Sequence, residues 1–330
     1  MMNRGDSEGS GVGVRGSGKN SDAHILKSPR HTVFARYRPH LGLLSMAIPV
    51  LAFFLIFNYV PMVGLAIAFK DYVMSDGIFG SRWVGFDNFA RLFASDDFPR
   101  AIRNTLTISL LRLAFGFFAP VILALLLNEV RIGAYKRGIQ TLTYLPHFFS
   151  WVILGGIFLM LFNSTGPVNQ FVKLLGCRPV SFLSDDAWFI AVLIATGIWQ
   201  GAGWGAIIYL ASLSGINPDL YEAAAIDGAG RWQQTWRITL PSLVPTMITL
   251  FVLSLGGILT AGFDQIYNMY NPMVYDVTDI IDTYVLRRMF GLDLSLATAA
   301  GLFKSVVGLV MVVGANGLAR KLSQGEQGVW

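Results

Sequence analysis

The chain has 330 residues, of which 54% are hydrophobic and only 14% charged, with a formal net charge of +5. Soluble domains carry about 25% charged residues, so a single soluble globule is excluded, and apolar runs of about 18 residues or more read as membrane spans. The basic excess is scattered around the ends of those runs rather than striped on one face, which argues against nucleic acid, and a lone cysteine, Cys177, leaves no intrachain disulfide, CxxC metal site or redox pair.

Residues 1–36 are rich in Gly and Ser and are expected to form a disordered tail, because they hold too little apolar surface to fold. Within the tail, Gly13-Val14-Arg15-Gly16-Ser17-Gly18-Lys19-Asn20 nearly spells a phosphate-binding loop. Asn20 stands where a Mg²⁺-holding Ser or Thr is needed, and neither a strand before nor a helix after is supported. No nucleotide site is expected there. A cleaved signal peptide is not expected either, since no apolar segment with a small-residue cleavage site follows the basic residues closely.

Residues 37–319 read as an all-α, polytopic membrane domain of six transmembrane helices. The first span is Leu41–Phe69, with Pro49 and Pro61 expected to kink it or shorten its regular part. Trp83–Phe93 has apolar residues at helical spacing and predicts a short helix at the membrane surface. The remaining spans are expected over Asn104–Asn128, Gly138–Asn163, Trp188–Leu213, Pro241–Phe263 and Ala297–Leu318, with a tail over 320–330. Six spans put both termini on one side. The N-tail, the 129–137 turn, residues 217–241 and the C-tail together hold fourteen Lys/Arg and eight Asp/Glu; the three opposite loops hold nine and twelve. The more basic side is expected to be cytoplasmic, which places both termini and the 217–241 loop in the cytoplasm of a cell with a multi-pass plasma-membrane protein.

That loop is a polar island between long apolar runs. Asn217 is a good N-cap and Pro218 suits the first helical position. Asp219 and Glu222 put negative charge at the positive helix end, Ala223-Ala224-Ala225 leave a nearly flat face, and Asp227-Gly228 breaks the helix. A second short helix is expected from about Arg231, ending before Pro241. Glu222-Ala223-Ala224, Gly228 and Ile238-Thr239-Leu240-Pro241 at this spacing resemble the EAA loop of the membrane subunits of ATP-driven importers. Val84–Phe89, Asn104-Thr105-Leu106, Tyr144-Leu145-Pro146 and Phe263-Asp264-Gln265-Ile266-Tyr267 are similar to landmarks of carbohydrate-importer permeases. The fuller Tyr144–Trp151 and Tyr267–Pro272 segments resemble a branch associated with oligosaccharide and polysaccharide-fragment uptake in Gram-positive bacteria. Met269-Tyr270-Asn271-Pro272 departs from the Thr-x-Gly-Gly-Pro turn of many sugar permeases.

The resemblance implies a type I ABC importer permease fold with a cytoplasmic EAA coupling loop. It implies a sugar, and within the family an oligosaccharide, as cargo, with no catalytic residues and no cofactor in this chain. ATP and Mg²⁺ would sit on two partner cytoplasmic ATPases. A second homologous permease would complete a heterodimer, and an extracellular solute-binding lipoprotein would deliver the sugar. Glu222 would anchor the loop in an ATPase, Ala223 and Ala224 allow close approach, Gly228 sets the bend, and Ile238, Leu240 and Pro241 tie the bend to the fifth span.

Within the membrane, Trp199, Gln200, Tyr209, Asp264, Gln265, Tyr267 and Asn268 offer ring platforms and hydroxyl partners for a sugar, though Trp and Tyr also anchor helices at interfaces. Gly197, Gly201 and Gly205 recur every four residues and allow close helix approach, within the subunit or against a second permease. Arg112 and Lys304 are read as about two turns from the outer ends of their spans, where they can snorkel, form ion pairs or line the substrate path. His147 reads as a packing residue, with no second His or Cys at metal-ligand spacing. A permease for a non-sugar solute, a secondary transporter working without an ATPase, and a membrane scaffold are the alternatives.

Overall fold

The computed structural model describes residues 41–322, so the 1–36 tail, the phosphate-loop-like 13–20 and the last eight residues lie outside the described residues. It divides into two units at the Val60–Pro61 bond. The first holds the α-helix Leu41–Phe54, with Pro49 inside it, and a π-turn Leu55–Tyr59. Val60–Phe69 is 3₁₀ rather than α, so the regular part of the first span is shortened, as a proline without an N–H to extend the ladder predicts.

Among the described residues six helical stretches are long and apolar enough to cross a membrane: Ser45–Phe69, Asp97–Glu129, Trp151–Leu174, Asp186–Ser214, Arg231–Gly256 and Leu294–Gly314. Apart from a two-residue antiparallel ladder of Lys70–Asp71 with Arg82–Trp83, the described chain is helical and irregular, so the all-α expectation holds. The second span starts seven residues before the expected Asn104. Phe98 and Ala101 are fully buried against Tyr284, Leu296 and Ala300, and this packing carries the helix into polar sequence. The last helix runs to Leu322, through the start of the expected tail at 320.

Two expected single spans are broken. The third, expected over Gly138–Asn163, is two helices, Gly133–Tyr144 and Trp151–Phe162, separated by a 3₁₀ turn Leu145–Phe148 and an extended pair, Phe149 and Ser150. Pro146 removes a ladder donor there, and Ser150 O restarts the ladder by accepting the N–H groups of Ile153 and Leu154. The fifth, expected over Pro241–Phe263, ends as an α-helix at Gly256. A 3₁₀ turn Ile258–Thr260 and two left-handed residues, Ala261 and Gly262, precede the helix Phe263–Met269. The amphipathic helix near residue 90 runs Asp87–Ala94. Its apolar face is not left for lipid alone, because Leu92 and Asn88 are buried against protein and Asn88 Nδ2 donates to Ala68 O and Lys70 O.

Residues 271–296 fold back on the second span instead of forming an open loop. Pro272–Val274, Tyr275–Thr278 and Ile281–Phe290 are short helical pieces. Asn271, in the segment that departs from the sugar-permease turn, accepts Met273 N–H on Oδ1 and donates through Nδ2 to Leu183 O at 2.9 Å. Asp279, 1% exposed, pairs with Arg287 at 2.7 Å and accepts from Thr283 Oγ1 at 2.8 Å. Burial works against the Arg287 charge, but the hydrogen bond and charge of Asp279 outweigh it and hold the guanidinium pKa above its ordinary value. Removing one partner of a buried pair strands the other. Asp279→Ala should therefore cost about 3 kcal/mol in reversible unfolding in detergent. Asp71→Ala, which breaks the exposed 3.9 Å pair with Arg82, should cost less than about 1 kcal/mol.

Candidate functional site

The 217–241 stretch folds as an elbow. Asn217 Oδ1 accepts the Asp219 N–H at 3.0 Å, and the first arm is the helix Asp219–Ile226 with Asp219 and Glu222 in its opening turn. The chain then turns at Gly228, whose φ is +81°. A Cβ added there would meet nothing within 4 Å, so the backbone angle rather than crowding demands glycine. Gln233 Oε1 accepts the Gly230 N–H at 2.9 Å and the second arm begins at Arg231.

This arm does not end before Pro241. A π-turn, Thr235–Thr239, carries it straight into the helix Leu240–Gly256. Pro241 has no N–H for a normal helical bond, and the wider turn absorbs that loss. The second arm and the fifth span are therefore one rod. Tyr221 Oη and Thr239 Oγ1 lie 2.9 Å apart and tie the arms together. Arg231 pairs with Glu129 at 2.8 Å, tying the elbow to the end of the second span. Leu240 packs with Leu243, Tyr209, Leu213 and Val121, and Ile238 is half-buried. The outward surface carries Glu222 and Ala223, with Leu220, Ile226 and Trp232 exposed beside them, whereas Ala224 is half-buried.

A second polar locus lies at mid-span. Arg112 sits 15 residues into the helical span Asp97–Glu129, about 22 Å from its start at 1.5 Å per residue. That is about four turns from the helix start and about two from Asn104, where the expected span begins. Its Nη2 donates to Gln265 Oε1. Gln265 is fully buried, and its Nε2 donates to Leu193 O at 2.8 Å and Thr196 Oγ1 at 2.7 Å, which fixes the amide with its oxygen toward Arg112. Gly262, at φ +74°, gives the guanidinium its room, since a Cβ there would overlap Nη1, Nη2 and Cζ. At Gly197 a Cβ would lie 3.0 Å from Gln265 Oε1. Arg112 lines two adjoining cavities. One of about 400 Å³ is walled by Tyr209, Gly205, Pro120, Ser254 and Gly262, and one of about 220 Å³ by Gly197, Gly201 and Ile198.

Only two of the sugar-contact candidates, Gln265 and Tyr209, reach this locus. Trp199 is half-exposed and packs edge-on against Phe158. Gln200 is half-buried and lines neither cavity. Asp264 is exposed, and its carbonyl accepts from Asn268 Nδ2 at 2.7 Å. Tyr267 belongs instead to an aromatic ribbon, stacked on Phe263 at 5.6 Å and leading through Tyr270 to Tyr275 and Arg287. Burial, followed by the hydrogen bond to Tyr275, pushes the Tyr270 phenol up to about 12. Lys304 is a structural ion pair, bound by both carboxylate oxygens of Asp282 at 2.6 Å. His147 stacks flat on Trp204 at 4.6 Å, a packing role. Of the glycine series, Gly205 packs on Pro120 of the second span within this subunit, while Gly201 faces open space. Thr196 and Gly262 had no distinguishing signal in the sequence. Arg112 did, as an isolated cation in an apolar run.

Known proteins resemble the chain along most of its length. The family described as "Binding-protein-dependent transport system inner membrane component" matches residues 116–324. The protein LplB of Bacillus subtilis is 48% identical over 93% of this chain and 97% of its own. The polygalacturonan/rhamnogalacturonan transport system permease protein YteP of the same organism is 44% identical over 94% and 97%. Among solved structures, a chain of a bacterial alginate ABC transporter, in complex with an alginate pentasaccharide-bound periplasmic protein, superposes with a TM-score of 0.82 at 44% identity, covering 90% of this chain and 99% of that one.

The tight fit at Gly262 has a direct consequence. Gly262→Ala adds both a strained backbone angle and an overlap with the guanidinium, and should lower thermal stability in detergent by several degrees or abolish folded protein. Gly201→Ala, which meets nothing within 4 Å, should leave the melting temperature within about one degree.

Proposed function

The chain belongs to the family of binding-protein-dependent transport system inner membrane components, and from that premise we propose that it is one of two membrane subunits of an ATP-driven oligosaccharide importer. It forms half of the translocation pathway beside a second, similar permease. A solute-binding protein delivers the sugar, and cytoplasmic ATPases dock on the elbow. ATP and Mg²⁺ belong to those ATPases, and this chain moves substrate without chemistry of its own.

The observation that carries the reading is the elbow itself. It lies inside the family match, it is rigidly joined to the fifth span, and it leaves Glu222, Ala223 and a patch of large apolar side chains uncovered. Large apolar patches beside a charged anchor mark protein–protein contacts. Docking would tilt the rod between two arrangements of the spans, a differential-contact switch. Both termini and the elbow face the cytoplasm in this reading, since that side is richer in Lys and Arg.

Two measurements test it. Glu222→Lys should reduce uptake at least about tenfold, the worth of one charge-assisted hydrogen bond, and Gly228→Leu, which forces a side chain onto a φ of +81°, should reduce it as far, while the protein remains in the membrane. Unchanged uptake in both variants would end the coupling role. In intact cells, a membrane-impermeant thiol reagent should label the exposed Cys177 in the wild-type chain. In a Cys177→Ser background it should label Ile226→Cys only after permeabilisation. Labelling of Ile226→Cys in intact cells would invert the topology.

A further inference from the structure

We infer that the groove between the second span and the second arm of the elbow is a binding site for an anionic phospholipid, with an acyl chain in the groove and the headgroup at Arg231. The groove shares no lining residue with either cavity beside Arg112.

The groove encloses about 580 Å³, within the range of small-molecule sites, about 300–1,000 Å³. Phe118, Ile122 and Leu125 wall it on the second span, and Trp236, Leu240 and Met247 on the rod of the fifth. Among the described residues of its wall, only Thr235, Glu129 and Arg231 carry a hydroxyl or a charge. From Phe118 to Glu129 the second span rises about 16 Å at about 1.5 Å per residue. The hydrocarbon of a bilayer is about 30 Å thick, so the groove has the depth of one leaflet. Trp232 and Trp236, both exposed, meet at 5.7 Å next to Arg231 in the chain, and tryptophans so placed mark the headgroup level. A charged end at that level and an apolar length below it match a phospholipid. A partner helix matches less well. One helical turn, about 10–12 Å across and 5.4 Å long, fills roughly 420–610 Å³, so the groove holds about one turn, too little for a packed span.

The charges choose the headgroup. Arg231 gives Nη1 to Glu129 at 2.8 Å and is half-exposed. A guanidinium has five donors in a planar fork, which leaves several for a phosphate. Glu129 repels such an anion, but Arg131, Lys136 and Arg137 follow it and Arg237 lies further along the second arm. Residues 129–137 and 231–241 together hold five cations and one carboxylate. Basic pockets between spans bind anionic headgroups. A lipid seated here also lies between the two spans that the elbow holds.

The test uses the full chain, in the complex it purifies with, in phosphatidylcholine bilayers. The probes are traces of phosphatidylglycerol and of phosphatidylcholine carrying the same photoactivatable acyl chain. After illumination, labelled peptides are mapped by mass spectrometry. On the wild-type chain, phosphatidylglycerol should label peptides 118–129 and 231–247 at least about fivefold more than phosphatidylcholine does, the worth of one cation near a headgroup. Arg231→Gln should cut that preference about fivefold. Leu125→Trp, which fills the groove, should remove most of the phosphatidylglycerol label. Arg231 is exposed, so its variant keeps the fold even where Leu125→Trp does not. Equal labelling of the wild-type chain by the two probes, the mark of ordinary bilayer lipid only, overturns the site. No label on either peptide, as expected if another subunit fills the groove, overturns it too, as does a preference unchanged in Arg231→Gln.

Discussion

Backbone that leaves helical geometry inside an apolar layer must find its hydrogen bonds elsewhere, and that constraint governs how this protein is put together. The fifth span unwinds after Gly256, and the segment from 271 to 281 is a series of short turns. Their stranded groups are met by one polar stripe on the second span. Ser109 Oγ donates to Ile258 O. Asn104 Nδ2 donates to Asp276 O and Asp279 O, and Thr105 Oγ1 accepts the Ile281 N–H. Arg112 continues the stripe to Gln265. Residues 104, 105, 109 and 112 share a helical face, so one straight helix holds the irregular half of the molecule in register. The landmark Asn104-Thr105 is therefore a structural splice, and its amide and hydroxyl are needed because aliphatic side chains could not satisfy those groups.

The same arrangement brings the two loci of interest into mechanical contact. The second and fifth spans both line the cavity beside Arg112. The elbow holds both of them, the fifth through the unbroken rod across Pro241 and the second through Arg231 and Glu129. A push on the elbow is thus delivered to two walls of one cavity. The break at Gly257–Gly262 lies at the far end of the rod, where its ladder stops. Such a joint lets the rod tilt without dragging the helix Phe263–Met269, which is clamped by the buried Gln265, Ile266 and Met269. Packed cores shift between discrete arrangements rather than deforming smoothly, and this one has its joint in the right place.

Much of this was legible in the sequence, for reasons that differ by element. Six spans follow from hydropathy, and the elbow from Asn217, Gly228 and Pro241, because capping, positive φ and a missing N–H are local effects. The breaks in the third and fifth spans were not legible. Pro146 removes one donor, but whether a helix kinks or stops depends on what replaces the bond, and that is settled by neighbours such as Gly203, whose backbone runs directly against the Thr143 carbonyl. The early start of the second span is likewise a tertiary effect, decided by the burial of Phe98 and Ala101. For the candidate site, the bent geometry expected around Gly228 is present, whereas hydroxyl-friendly residue types spread the sugar contacts over seven positions. Only their placement separates Tyr209, which walls the cavity, and Gln265, which holds the arginine beside it, from Asp264 and Tyr267, which do neither.

The chemistry at mid-span also bears on how transport is driven. A carrier that runs on a proton gradient needs a group that gains and loses a proton within the working pH range, usually a carboxylate or histidine in the pathway. The cavity here offers an arginine, which stays protonated in proteins, held by a neutral amide and walled by apolar residues, Ser109, Ser254 and a tyrosine. Of the other titratable candidates, His147 is stacked against Trp204, Asp264 is exposed and Lys304 is paired with Asp282, and none of the three lines either cavity. Such a cavity can bind and select, but none of its described groups can harvest a proton gradient. The work of moving a solute uphill then has to enter from outside the membrane domain, and under the proposed coupling role it enters at the elbow, which is joined to two of the cavity walls and exposed on its other face.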